Sequence, residues 1–166
     1  MSEPPAFLPR KLELKRSWDE DVSLLYAVFE MDFKQSLPRF RGKIVLHHNR
    51  LEPNGRESGF WHLITQGDRG MRNYSGIPDY ERAERLPWVR ATIEHADAPG
   101  VLCWDYEESS GLTHTYLWLE EHDFVVILEP VRGSAKAMRL LTAYCVHDRA
   151  KMRRKYERRV DTSAAP

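Results

Sequence analysis

Residues 137–146, AMRLLTAYCV, form an apolar run that carries two hydroxyls at strand spacing. A run of this length, rich in large apolar residues and bounded by polar segments, reads as a β-strand whose successive side chains alternate between faces. Alternation predicts Leu140, Thr142, Tyr144 and Val146 on one face and Arg139, Leu141, Ala143 and Cys145 on the other. Thr142 and Tyr144 then become neighbours. The basic segment DRAKMRRKYERR, residues 148–159, follows at once, so two hydroxyls stand beside concentrated positive charge, a combination suited to a phosphate ligand. The stretch also reads as a plain core strand whose Tyr hydroxyl finds a backbone partner.

Three further strands precede it: Val101–Tyr106, Thr113–Leu119 and Phe124–Glu129. Their links, SSGL, EEHD and RGSAK, are short enough to favour an antiparallel meander. Upstream, Ser17 with Glu20 forms a capping-box pattern, and Val22, Leu25 and Phe29 recur at helical spacing, which predicts a helix from Trp18 to Ser36 that Pro38 ends. Lys43–His47 reads as a short strand, and GFWHLIT, residues 59–65, as its hairpin partner across Asn54-Gly55. Residues 66–77 read as a mobile loop. A second helix is expected from Pro78 to about Ala96, kinked or split at Pro87, and a third over Asp148–Arg159.

The expected architecture is therefore α+β: a helix and a short hairpin, then an antiparallel four-stranded C-terminal meander sheet with helices packed on one face. Residues 1–16 are expected to be an N-terminal arm, 17–160 a single domain and 161–166 a disordered tail.

Composition removes several classes of function. Cys103 and Cys145 are the only cysteines, too few for a disulfide framework or a four-cysteine zinc site, and they fit a reducing compartment. No apolar run has the length of a membrane span, and a cytoplasmic protein is expected. HExxH, paired CxxC, P-loop and GxSxG patterns are missing from the sequence, so neither metal nor cofactor is expected. The 25 basic and 25 acidic side chains balance, but residues 91–131 contain no Lys or Arg. If the basic segments gather opposite that acidic stretch, the domain becomes a dipole with a basic face.

His62 sits within the aromatic segment GFWHLIT, where a polar side chain needs a reason, and Arg82 and Arg85 lie three apart on one helix. Imidazole, guanidinium groups and hydroxyls together suit acid–base chemistry on a phosphodiester. The segments GFWHLIT, ERAERLPWVRATIEH and RLLTAYCV, followed by a basic helix, resemble in order the phage-associated branch of the metal-independent ribonuclease superfamily that includes barnase, EndoU, colicins and RelE. The resemblance spans about residues 57–158 and leaves 1–50 unmatched. It implies a toxin-type endoribonuclease that cuts RNA by 2′-hydroxyl attack, with His62, Arg82, Arg85, Thr142 and Tyr144 as catalytic candidates and His114 in reserve. Arg149, Lys151, Arg153, Arg154 and Lys155 would bind the RNA backbone, and an immunity protein or phage protein is a possible partner. The alternatives are a noncatalytic RNA-binding or phage-structural accessory domain, and an interaction module that uses the acidic stretch.

Overall fold

The computed structural model describes residues 3–66 and 76–161. The expected loop at 66–77 and the expected disordered tail lie almost wholly outside the described residues. Helix α1 (Trp18–Phe29) opens on Asp19, Glu20 and Asp21, whose charges suit the positive end of a helix, and buries Val22, Leu25 and Phe29. It continues as a π-helical turn, Glu30–Gln35, which buries Phe33, so the helical segment ends close to where the sequence predicts. The capping box is not formed. Ser17 makes no side-chain cap, and Asp21 instead accepts a hydrogen bond from the backbone of Lys15 at 2.8 Å.

The expected hairpin is corrected. Strand β1 (Arg39–Phe40) turns through Arg41 and Gly42, both at positive φ, into β2 (Lys43–Leu46). Positive φ at both central residues of a two-residue loop matches the twist of the flanking strands. GFWHLIT is not a strand at all: Ser58–Ile64 is helix α2, with every residue but His62 buried. A short apolar run reads equally as strand or buried helix, and packing decided the case. Asn54-Gly55 does make a turn, closed by the Leu51–Glu57 bridge, but it leads into α2.

Two-residue strands β3 (Thr65–Gln66) and β4 (Ile77–Pro78) pair with each other. The next helix is split, as Pro87 predicts, into α3 (Tyr80–Ala83) and α4 (Leu86–Glu94), with Pro87 in the first turn of α4. Pro78 belongs to β4 rather than opening the helix, and Asp79 caps α3. Residues before α1 lie over this region: Leu12 N–H donates to the Glu84 carbonyl, and the Trp88 indole donates to that of Pro9.

Strands β5 (Val101–Glu107), β6 (Thr113–Leu119), β7 (Phe124–Val131) and β8 (Ser134–Cys145) follow in antiparallel succession. The sheet does not stop there. β2 pairs parallel to β8, giving six strands in the order β1-β2-β8-β7-β6-β5, a mixed sheet in place of the expected four antiparallel strands. Alternation along the strands supplies two apolar faces. Leu117, Leu119, Phe124, Val126, Leu128, Leu140 and Ala143 join α1, α2 and α4 in the larger core. Trp104, Tyr116, Trp118, Val125 and Ile127 meet Met152 and Tyr156 of α5 (Arg149–Glu157) on the second face. Helices therefore cover both faces rather than one.

β8 breaks its own alternation. Ile127 pairs with Thr142 but Leu128 pairs with Leu140, which leaves Leu141 as the extra residue of a bulge. Leu140 accordingly packs in the larger core, while Thr142 and Tyr144 stay opposite second-face residues Ile127 and Val125. The two hydroxyls share a face as expected, without Leu140.

Candidate active site

Beyond its pairing with β2, β8 lies against the end of α2. The His62 carbonyl accepts hydrogen bonds from Arg82 Nη1 at 3.1 Å and, more weakly, from Thr142 Oγ1 at 3.5 Å. Arg82 Nη1 also donates to the Thr65 carbonyl at 2.7 Å, and its Nε stands 3.5 Å from Asp79 Oδ2. Only 8% exposed, this guanidinium satisfies carbonyls at the C-terminal end of α2 that the helix cannot. It also lies 5.9 Å from the centre of the Tyr144 ring. Arg85 turns away: it donates to the Glu81 carbonyl and the Glu84 carboxylate and stacks over Trp88. Of the five expected catalytic residues, four therefore meet at one corner, with the backbone of His62 rather than its imidazole as the meeting point. The His62 ring instead faces the His48 ring, 5.9 Å between centres.

Across the second face, beyond the part that α5 covers, runs a row of ionisable side chains drawn from separate strands. Glu129 of β7 is directly opposite Arg139 of β8, with Nη1 to Oε1 at 3.8 Å. His48, two residues past β2, brings Nε2 to 3.4 Å from Glu129 Oε1, and His114 of β6 brings Nε2 to 4.0 Å from Oε2. On its other side, His114 Nδ1 is 3.4 Å from Glu108 Oε1. Both Nε2 atoms are buried without a hydrogen-bond partner, and buried polar atoms left so need an explanation. Two imidazoles aimed at one carboxylate, beside a guanidinium, form an acid–base set.

The local sequence explains the placement of His48. Gly59 in α2 donates its N–H to the His48 carbonyl at 2.9 Å, and a Cβ at this position would meet that oxygen at 2.8 Å. Only glycine permits so close an approach. Burial lowers the pKa of His48 below the usual imidazole value, with Glu129 partly opposing that shift. Behind His114, burial raises Glu108, but hydrogen bonds from Tyr116 and Lys155 more than offset it and hold the carboxyl below its ordinary value. Lys155 Nζ donates to Tyr116 Oη at 2.7 Å and reaches Glu108 Oε2 at 3.1 Å. An unbroken polar chain thus joins α5 to His114.

The basic last helix is largely answered by the acidic stretch. Arg149 binds the Asp123 carboxylate, Arg153 that of Glu120 and Lys155 that of Glu108. Lys151 and Arg154 are exposed. The expected dipole is thus corrected, because opposite charges are interleaved: Arg41 with Asp97 and Lys34 with Glu57, both at 2.6 Å, follow the same pattern.

Burial pushes both thiols up to about 11, so neither cysteine offers a ready thiolate. Among the described residues no group of His, Cys, Asp and Glu is arranged to hold a metal ion, and no helix is long and apolar enough to cross a membrane. His114 was legible as a reserve candidate; His48, Glu129 and Arg139 were not, since tertiary structure brings the segment after β2 beside the β7–β8 pair. No protein-family model matches the chain, and neither curated proteins nor solved structures give a significant match.

Proposed function

We propose that the protein is a metal-independent endoribonuclease whose chemistry is carried by the row His48, Glu129, His114 and Arg139. The observation that supports this is the approach of two buried, unsatisfied imidazole nitrogens to the two oxygens of one carboxylate. RNA carries its own nucleophile, so a protein need only position the strand, move two protons and neutralise charge. His48, kept neutral by burial, with Glu129 beside it, takes the proton from the 2′-hydroxyl. The 2′ oxygen forms a bond to phosphorus, the bond from phosphorus to the 5′ oxygen breaks, and His114 donates a proton to that leaving oxygen. Arg139 neutralises the charge that develops on the non-bridging oxygens. Glu108, 3.4 Å from Nδ1, orients His114 and leaves Nε2 without a hydrogen-bond partner. Distances of 3.4 and 4.0 Å are long for hydrogen bonds, as is common before substrate binds.

The test is incubation of mixed-sequence RNA with the purified protein in excess EDTA, followed by analysis of the product ends. The expected products end in 2′,3′-cyclic phosphate and 5′-hydroxyl. Products with 5′-phosphate, or cleavage that needs an added divalent ion, would overturn the mechanism. Protein that binds RNA and cuts none of it would transfer the case to the noncatalytic RNA-binding domain.

A further inference from the structure

We infer that the cleft between the end of β8 and α5 is a nucleotide subsite, which takes a base against Tyr144 and Met152 and a phosphate on Lys151. The inference rests on the ribonuclease reading and extends it to an adjoining nucleotide of the same strand. The cleft holds about 380 Å³, within the range of small-ligand sites. Its walls divide by chemistry: Tyr144, Val146 and Met152 line it with aromatic and apolar groups, whereas Lys151 brings an exposed ammonium. Aromatic surface beside an ammonium group suits a base joined to a phosphate, since stacking is indifferent to base identity and the charge follows the backbone.

Two carboxylates, Asp79 and Asp148, also line the cleft. Both are already engaged at helix starts, where Asp79 Oδ1 accepts from the Arg82 N–H at 3.0 Å and Asp148 Oδ1 from that of Lys151 at 2.9 Å. Lys155 connects the cleft to the acid–base row. It lines the cleft and contacts Glu108, which in turn faces His114. A strand with one phosphate at Arg139 can therefore continue along the same sheet face toward α5.

Binding of adenosine 5′-monophosphate and of adenosine, measured by calorimetry in phosphate-free buffer with EDTA, tests the subsite without requiring cleavage. The monophosphate should bind more tightly than the nucleoside. Lys151→Gln, at an exposed position, should weaken the monophosphate about tenfold, the worth of one charge-assisted hydrogen bond, and leave adenosine unchanged. Tyr144→Leu should weaken both, with thermal melts to confirm folding. Absence of binding at millimolar ligand, or affinities that ignore Lys151→Gln, would overturn the subsite. Nucleotide binding with this pattern in a protein that cuts no RNA would keep the subsite and remove the ribonuclease; RNA cleavage indifferent to Lys151→Gln, with no nucleotide binding, would do the reverse.

Discussion

The corner at the end of α2 and the row across the second sheet face hold the same kinds of side chain and use them differently. At the corner, Arg82 is 8% exposed and donates to the carbonyls of His62 and Thr65. In the row, the side chain of Arg139 is 33% exposed and stands 3.8 Å from Glu129. The guanidinium at the corner closes a helix end, a structural task. In the proposed mechanism the one beside Glu129, 3.8 Å from its counter-ion, neutralises the phosphate.

The sharpest way to break this comparison is to remove one histidine from each region. His114→Ala should lower RNA cleavage by roughly two to four orders of magnitude, the usual worth of a positioned acid–base group. His62→Ala, whose carbonyl contacts survive the change, should lower it by less than about tenfold. The reverse ranking in initial rates would return the chemistry to the corner.

Stability separates the arginines in the opposite sense. Arg82→Ala leaves buried carbonyls of α2 short of a donor and should cost about 2–4 kcal/mol in urea unfolding. Arg139→Ala should cost less than about 1 kcal/mol, as for partly exposed ion pairs, while depressing cleavage. Equal losses of stability would erase the distinction.

Between the two regions stands Gly59, which supports His48 from α2. Gly59→Ala should destabilise by about 1–3 kcal/mol, because a Cβ would collide with backbone rather than with a flexible side chain. Cleavage should fall further than the melting temperature alone explains, since His48 must move. An alanine variant with wild-type melting and rate would show that the contact yields freely.

The smallest expected effect is on the pH dependence of stability. Burial holds the folded-state pKa of His47 and His48 below 6.5, the ordinary value. Their contribution is therefore complete above about pH 6.5 and is lost as pH falls through the folded-state values, because only the unfolded chain readily takes up the protons. Glu57 and Glu108, held below their ordinary 4.5, add a second loss at lower pH. His48→Gln should flatten the upper part of this acid limb in denaturant titrations, and an unchanged limb would show that His48 is not held neutral.

Much of the secondary structure was legible before any coordinates. Strands β5 to β8 alternate with short links, Pro87 splits a helix because it lacks a donor, and the α1 segment follows the spacing of Val22, Leu25 and Phe29. Local chemistry sets each of these, so each can be read locally. The mistaken hairpin and the missed row share one cause. GFWHLIT is apolar on nearly every side, His62 apart, so its own pattern could not choose between strand and helix until the surrounding core enclosed it.

Sequence alone determined the α+β class and the common face of Thr142 and Tyr144. Only tertiary structure decided that β2 lies parallel beside β8, that Leu141 bulges, and that Gly59 lets α2 reach His48. His48, His114, Glu129 and Arg139 come from four separate stretches, and no period in the chain marks them as partners. The hydrogen-bond ladders of the sheet, with the Gly59 contact to His48, fix which residues face one another, and those ladders join positions up to about ninety residues apart, as Leu46 and Arg139 show.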